Sequence, residues 1–339
     1  MLTREMDLVT SSLRPITENN TLMHCQSSKK YETAYQTIFT IFDVIVGLPG
    51  NSVAMWIFCF RIKSWKPHIL FLFNLAIADL LLIISLPFRI VTDLQGEDWI
   101  FGQAWCRINL FMLAVNRSAS IAFMTAVTVD RYFKVVHPHH RVSHMTLTQA
   151  GVLTGLLWIV VIALRIPLLT INLLYEHGNL SLCRSFNSYE GIPPEIKLHY
   201  LAFIVEFILP WFLLLFCSTR IACSLHQRWT DRQKKMVRKA TIAVVVISLV
   251  FTICFMPGVV TGLAAMYIKR FHPKNCTAYN QAIQCFMMSV TITYLNSSLD
   301  PVIYCFSSSL FRDPLKKSIC CRRFQKKNDT MQNETITII

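Results

Sequence analysis

Seven stretches of this chain are each long and apolar enough to cross a bilayer as a helix. A hydrocarbon core about 30 Å thick takes roughly 20 apolar residues at helical rise. The stretches cover 34–60, 68–91, 104–136, 147–171, 198–225, 241–268 and 278–306. Backbone polar groups cannot stay unpaired in hydrocarbon, so a chain patterned this way folds as a helical bundle. The expectation is an all-α membrane protein, a seven-transmembrane helix bundle over 34–306 that follows an outer tail of 1–33. A short amphipathic eighth helix over 307–320 and a cytoplasmic tail over 321–339 complete the division. Composition agrees: the 339 residues are 53% hydrophobic and 15% charged, where a soluble domain carries about 25% charged residues. Pro87, Pro167, Pro210, Pro257 and Pro301 interrupt the stretches and read as kinks whose freed carbonyls neighbouring helices can satisfy.

Loop charge sets the orientation. With the N-terminus outside, the inner segments 61–66, 130–144, 227–239 and 307–339 hold 19 basic and 5 acidic residues. The outer segments are close to balanced, so the positive-inside rule places the N-terminus outside and the C-terminus inside. The net charge of +14 therefore reports topology, and no nucleic-acid partner is expected. The polar first thirty residues lack the pattern of a cleaved signal, so the first apolar stretch is expected to act as an uncleaved anchor.

Cys25, Cys106, Cys183 and Cys276 fall on the outer, oxidising side. Cys106–Cys183 and Cys25–Cys276 are the expected pairs, although spacing alone allows three connectivities. Asn19, Asn179 and Asn275 head glycosylation sequons on outer segments. Cys320 and Cys321 follow a stretch in which Phe311, Leu315 and Ile319 recur at helical spacing. That pattern reads as a helix on the inner leaflet, pinned by palmitoylation of the two cysteines. Two reduced thiols would suit the same compartment.

Ionisable groups within the spans need a reason, because hydrocarbon penalises them. The residues concerned are Asp43, Asp79, Arg89, Arg117, Arg165, Glu206 and Asp300. Arg117 lies nearly four turns from Arg131 at the inner edge, too deep to snorkel. A guanidinium keeps its proton, so it needs an anion. Glu206, Asp43 or a carboxylate ligand would serve. Arg89 sits nearer the outer face and suits ligand contact or structural pairing; Arg165 suits a structural role. At the inner edge, Asp130-Arg131-Tyr132 places a carboxylate beside a guanidinium. A bidentate contact between them, breakable by a cytoplasmic partner, would make a two-state element.

The chain resembles rhodopsin-like (class A) G protein-coupled receptors along nearly its whole length. The carriers are Gly50-Asn51, Leu75-Ala76-Ile77-Ala78-Asp79, Asp130-Arg131-Tyr132, Trp158 and Pro210, in order along five stretches. Cys254-Phe255-Met256-Pro257 follows in the sixth, and Asn296-Ser297-Ser298-Leu299-Asp300-Pro301-Val302-Ile303-Tyr304 in the seventh. Phe255 stands where the class usually has Trp, and Asp300 where it usually has Asn. The resemblance implies a plasma-membrane receptor that couples to a heterotrimeric G protein, of the Gi/o class, and to arrestin. It also implies a switch built on Asp130, Arg131, Tyr132, Phe255, Pro257 and Tyr304. Asp79, Asn116, Ser120, Asn296 and Asp300 would surround a sodium ion; a proton shared by Asp79 and Asp300 would answer the same electrostatic need. The basic segment from Arg228 to Lys239 reads as a contact for anionic lipid or the G protein, or as plain topology.

More specific segments resemble the hydroxycarboxylic acid and oxoeicosanoid receptor group. They are Cys106-Arg107-Ile108-Asn109-Leu110-Phe111-Met112-Leu113, Asn116-Arg117, Arg131-Tyr132-Phe133-Lys134-Val135-Val136-His137-Pro138-His139-His140 and Tyr304-Cys305-Phe306-Ser307-Ser308. That group binds carboxylic acids, which implies Arg117 as the anchor. Ser185, Phe186, Tyr294 and Arg89 would be further contacts, with Trp99 covering the pocket. Gly262 stands where the small-acid members carry an Arg, and Tyr294-Leu295-Asn296-Ser297 resembles the oxoeicosanoid member. These details lean towards an oxidised polyunsaturated fatty acid over lactate, butyrate or 3-hydroxybutyrate, since Gly in place of Arg would lengthen the pocket. Other classes fit less well. A retinal pump needs a Lys in the last stretch, and 278–306 has none. An organic-anion transporter would usually show a repeat. Neither His-Glu-x-x-His nor Gly-x-Ser-x-Gly occurs, and no enzyme activity is expected.

Overall fold

The computed structural model describes residues 30–177, 180–183, 194–224, 230–272 and 275–307. All of the expected amphipathic helix over 307–320 except Ser307, which ends the last long helix, lies outside the described residues, as do Cys320, Cys321, Cys25, Asn19, Asn179, Ser185, Phe186 and the side chain of Cys276.

Seven long helices appear in the expected order. They are α1 (Lys30–Phe60), α2 (Pro67–Leu94), α3 (Gly102–Val136), α4 (Leu147–Arg165), α5 (Pro194–Ser224), α6 (Asp231–Phe271) and α7 (Cys276–Ser307). Six are apolar enough to span a membrane by composition alone. The seventh, α7, has the length at 32 residues, but it spends its side chains inward: Ser289, Thr291, Asn296, Ser297, Ser298 and Asp300 are all buried. The surface is inverted relative to a soluble protein. Phe60 is 76% exposed and Leu209 70%, while Asp79, Arg165 and Asp300 are 0% exposed. Apolar side chains outside and polar ones inside are what a hydrocarbon solvent selects.

Several helices run past the apolar stretch that announced them. Helix α6 begins ten residues earlier, in polar sequence, where the Thr230 backbone N–H donates to Gln233 Oε1 at 3.1 Å. Helix α4 opens with a full capping box: Thr146 N–H donates to Gln149 Oε1 at 3.0 Å and Gln149 N–H to Thr146 Oγ1 at 3.2 Å. Pro167 is not a kink. Helix α4 ends at Arg165, and Pro167 starts a separate single turn, Pro167–Thr170, the position at which a missing N–H costs nothing. Pro49, by contrast, lies inside α1.

Packing around α7 fixes the bundle. A Cβ on Gly50 would lie 2.7 Å from Pro301 Cγ, so α1 and α7 meet there only because residue 50 is glycine. Asn51 Nδ2 donates to Gly47 O at 3.1 Å and to Ser297 O at 2.8 Å, tying the same helices. On the outer side a hairpin pairs β1 (Leu174–His177) with β2 (Leu180–Cys183), Leu174 opposite Cys183. The Cys106–Cys183 disulfide fastens it to the top of α3.

Candidate functional site

A cavity of about 110 Å³ opens between the outer halves of α2, α3 and α7. Arg117 and Asn116 of α3, Arg89 of α2, Tyr294 of α7 and Cys183 of β2 all line it. Leu110, Leu113 and Ala114 of α3 face Phe286, Met287 and Val290 of α7 across it. The site is thus a largely apolar slot lined also by two arginines, a tyrosine and one acidic residue, Glu97. Gln36, Glu97 and Thr293 also line it; the sequence reading passed over them, although Gln36 and Thr293 were visible as polar residues in apolar stretches.

The two internal arginines divide cleanly. Arg165 takes Glu206: its Nη2 donates to Glu206 Oε2, and its Nε and Nη2 donate to Ser118 Oγ at 3.0 and 2.7 Å. Ser118 Oγ in turn donates to Glu206 Oε2 at 2.7 Å. The other internal acid considered for Arg117, Asp43, accepts from Ser298 Oγ at 2.5 Å. Arg117 therefore has no ion pair among the described residues. Its guanidinium carbon sits 3.8 Å from the ring centroid of Phe203, a cation–π contact. An aromatic face supports a cation but leaves the edge of the fork open to a planar anion.

Arg89 Nη1 reaches Cys183 O at 3.5 Å, at the margin of a hydrogen bond. Trp99 is brought near but does not line the cavity. Its indole N–H donates to Gly102 O at 2.8 Å, its backbone N–H donates to Ser181 O, and it packs against Phe101. It braces β2 from behind. Gly262 gives a different result from the one expected. A Cβ there would lie 3.1 Å from Phe286 Cε2. The room left by the missing side chain is taken by Phe286, so the pocket is less polar there without being longer.

Below the cavity, Asp79 accepts from Ser297 Oγ at 2.7 Å and from Tyr304 Oη at 2.9 Å. Asn296 Nδ2 donates to Asp300 Oδ2 at 3.1 Å, and Asn116 Nδ2 to Ala78 O at 2.8 Å. Ser120 Oγ, Asn296 Oδ1 and Asp300 Oδ1 are buried without a partner among the described residues. Adjoining buried carboxyls with orphaned oxygens around them need a proton or a cation. An all-oxygen donor set of this kind fits a small hard cation.

At the inner edge the expected bidentate contact between Asp130 and Arg131 does not form. Lys134 Nζ donates to both oxygens of Asp130, at 2.7 and 3.0 Å. Arg131 Nε stays 4.0 Å from Asp130 Oδ2. Helix geometry is the reason: residues i and i+4 share a face, whereas neighbours point about 100° apart. Tyr132 Oη meets His137 Nε2 at 3.0 Å, and its ring packs with Cys217, Ile221 and Val244 between α5 and α6. Phe255 is buried against Phe251, which stacks on Phe207. The phenol of Tyr304 also reaches Asn51 Oδ1 at 3.3 Å. Asn275, exposed, accepts from the Ala278 N–H at 3.1 Å through Oδ1.

Residues 50–304 match the sequence profile of the 7 transmembrane receptor (rhodopsin family). Among curated proteins the chain is similar to hydroxycarboxylic acid receptor 2 of Homo sapiens, 44% identical over 79% of this chain and 73% of the relative. It is also similar to oxoeicosanoid receptor 1 of Homo sapiens, 36% identical over 84% of this chain and 72% of the relative. The 12-(S)-hydroxy-5,8,10,14-eicosatetraenoic acid receptor of Mus musculus is 34% identical over 89% of this chain and 93% of its own length. Identity over the aligned residues is thus higher to the hydroxycarboxylic acid receptor than to the oxoeicosanoid receptor, against the leaning given by Gly262 and the Tyr294 segment.

Proposed function

The chain belongs to the 7 transmembrane receptor (rhodopsin) family, and from that premise we propose that it is a receptor for an oxygenated carboxylic acid anchored at Arg117. One observation carries the reading. Arg117 faces the cavity with no ion pair among the described residues, while Glu206 pairs with Arg165. The names of the three relatives share one chemistry, an acid bearing a hydroxyl or oxo group. A carboxylate would lie on the open edge of the Arg117 fork, and Arg89 and Tyr294 would meet the second oxygen. The body of the ligand would run between Leu110, Leu113 and Ala114 on one side and Met287 and Val290 on the other.

The apolar lining supports a long oxidised fatty acid as the first reading. A short hydroxycarboxylic acid is the second, and the closure of Phe286 onto the Gly262 backbone favours it. The outcome depends on whether Phe286 moves.

Activation follows from differential binding to two arrangements of the bundle. An anion on Arg117 would draw the guanidinium off Phe203, which packs edge-on to Phe286 with centroids 6.2 Å apart. That displacement would reach α6 at Gly262 and act around the Pro257 bend. Phe255 and its stack would follow, and the cytoplasmic ends of α3 and α6 would part beside Arg131 and Tyr304. The Asp79, Asn116, Ser120, Asn296 and Asp300 cluster would hold a sodium ion in the resting arrangement. We assign signalling to a Gi/o-class G protein, with arrestin as a further partner. The test is inhibition of cAMP in transfected cells by a 5-oxo eicosanoid, a 12-hydroxy eicosanoid, lactate, butyrate and 3-hydroxybutyrate, with and without pertussis toxin. A toxin-sensitive response to at least one acid is expected; silence to all of them in surface-expressing cells would overturn the ligand class.

A further inference from the structure

We propose that Lys134 is a positioning residue of the cytoplasmic switch: it occupies Asp130, keeps Arg131 available to the G protein, and so sustains ligand-independent activity. Asp130 is a single carboxylate, its side chain 1% exposed, with two cations in reach. Lys134 holds both of its oxygens. Arg131 is left with Nε and Nη2 buried and without a hydrogen-bond partner among the described residues. Its Nε is about 1 Å beyond hydrogen-bonding range of Asp130 Oδ2, at 4.0 Å. A rotamer change would close that gap if the oxygens were vacant. The two contacts therefore compete for one acceptor. The ammonium wins because i+4 lies on the carboxylate's face of α3 and a compact head with three donors can straddle both oxygens. Loss of Lys134 would strand a buried carboxylate, and the guanidinium beside it is the nearest cation able to answer. Arg131 would then be drawn back against α3, away from the cytoplasmic opening. The inference needs only G protein coupling, and it stands whatever the ligand is.

The experiment measures nucleotide exchange on G protein in membranes bearing the full chain, without ligand, normalised to surface receptor. Lys134→Met keeps the stem and removes the charge. It is expected to lower basal exchange several-fold, while Lys134→Arg restores most of it. The deciding arm is Asp130→Asn, where nothing is left to compete for. There Lys134→Met is expected to change nothing further. Basal exchange that is unchanged or raised in Lys134→Met overturns the proposal. So does a fall that persists in the Asp130→Asn background, which would make Lys134 a direct contact of the G protein. Should Lys134→Met fail to reach the surface, Lys134→Gln carries the same comparison.

Discussion

Two arginines inside one bundle, Arg165 buried and Arg117 half-buried, are expected to answer substitution in opposite ways. Arg165 has a side chain 0% exposed and is held by Glu206, itself 17% exposed, and by Ser118. Removing one member of a buried pair costs about 3–5 kcal/mol, because the other charge stays behind unpaired. Arg165→Leu leaves the partly exposed Glu206, with Ser118 still donating to it, so its cost is near the lower figure. Glu206→Leu leaves the fully buried guanidinium and is near the upper one. With a Tm shift of about 2–4 °C per kcal/mol for a chain of this order, Arg165→Leu lowers the melting temperature by about 6–12 °C. Glu206→Leu lowers it by about 10–20 °C on the same scaling. The double variant recovers most of the loss, since apolar replacement of a whole buried pair is often neutral. Arg117→Leu removes a cation with no ion pair among the described residues and leaves no stranded carboxylate. Its melting temperature is expected to stay within about 2 °C of wild type or to rise, because an unpaired internal charge is itself a cost. Thermal unfolding of the detergent-purified receptor without ligand reads all four. A loss at Arg117→Leu as large as at Arg165→Leu would refute the division into structural and ligand-binding arginines.

Other outcomes follow from the same geometry. Phe286→Ala vacates the space beside Gly262, so potency should shift towards the longer acids in a concentration–response series; an unchanged rank order would mean that Phe286 does not set ligand length. Sodium is expected to weaken agonist binding to wild type, and Asp79→Asn to abolish that dependence in membrane binding assays with sodium exchanged for choline. Gly50→Ala forces a Cβ against Pro301 and overpacks the α1–α7 contact, at about 1–3 kcal/mol in thermal unfolding.

Much of this architecture was legible in the sequence because the solvent is hydrocarbon. Seven apolar stretches and their flanking charge can satisfy a bilayer in few ways, and the order of the helices followed. Helix ends were less legible: the polar start of α6 carries no hydropathy signal, and only the Thr230 and Gln233 spacing marks it. The role of Pro167 depended on whether α4 continued past Arg165, which local sequence does not decide. The β1–β2 hairpin is short and stands on its disulfide and on Trp99 and Asp98 rather than on strand pattern.

At the site, residue type indicated Arg117 and Arg89, and the family resemblance implied Tyr294, but pairing is a property of three dimensions. Nothing in the chain order says that Glu206 faces Arg165 rather than Arg117. In the sequence a glycine at 262 implies empty space, and the neighbour that fills it, Phe286, comes from another helix. The Lys134 contact was the reverse case: its i+4 spacing from Asp130 was in plain view, and the adjacent Arg131 drew the reading away from it.

The central claim is that Arg117 holds the carboxylate of the ligand, and an acid tested beside its methyl ester addresses it most directly. Each would be titrated on wild type and on surface-expressed Arg117→Gln, using the acid that gives the strongest cAMP inhibition. The account predicts that the acid far outperforms the ester on wild type and that this advantage disappears in Arg117→Gln. An acid that keeps its full advantage over the ester in the variant would contradict it and place the anion elsewhere, with Arg89 the next cation on the cavity wall.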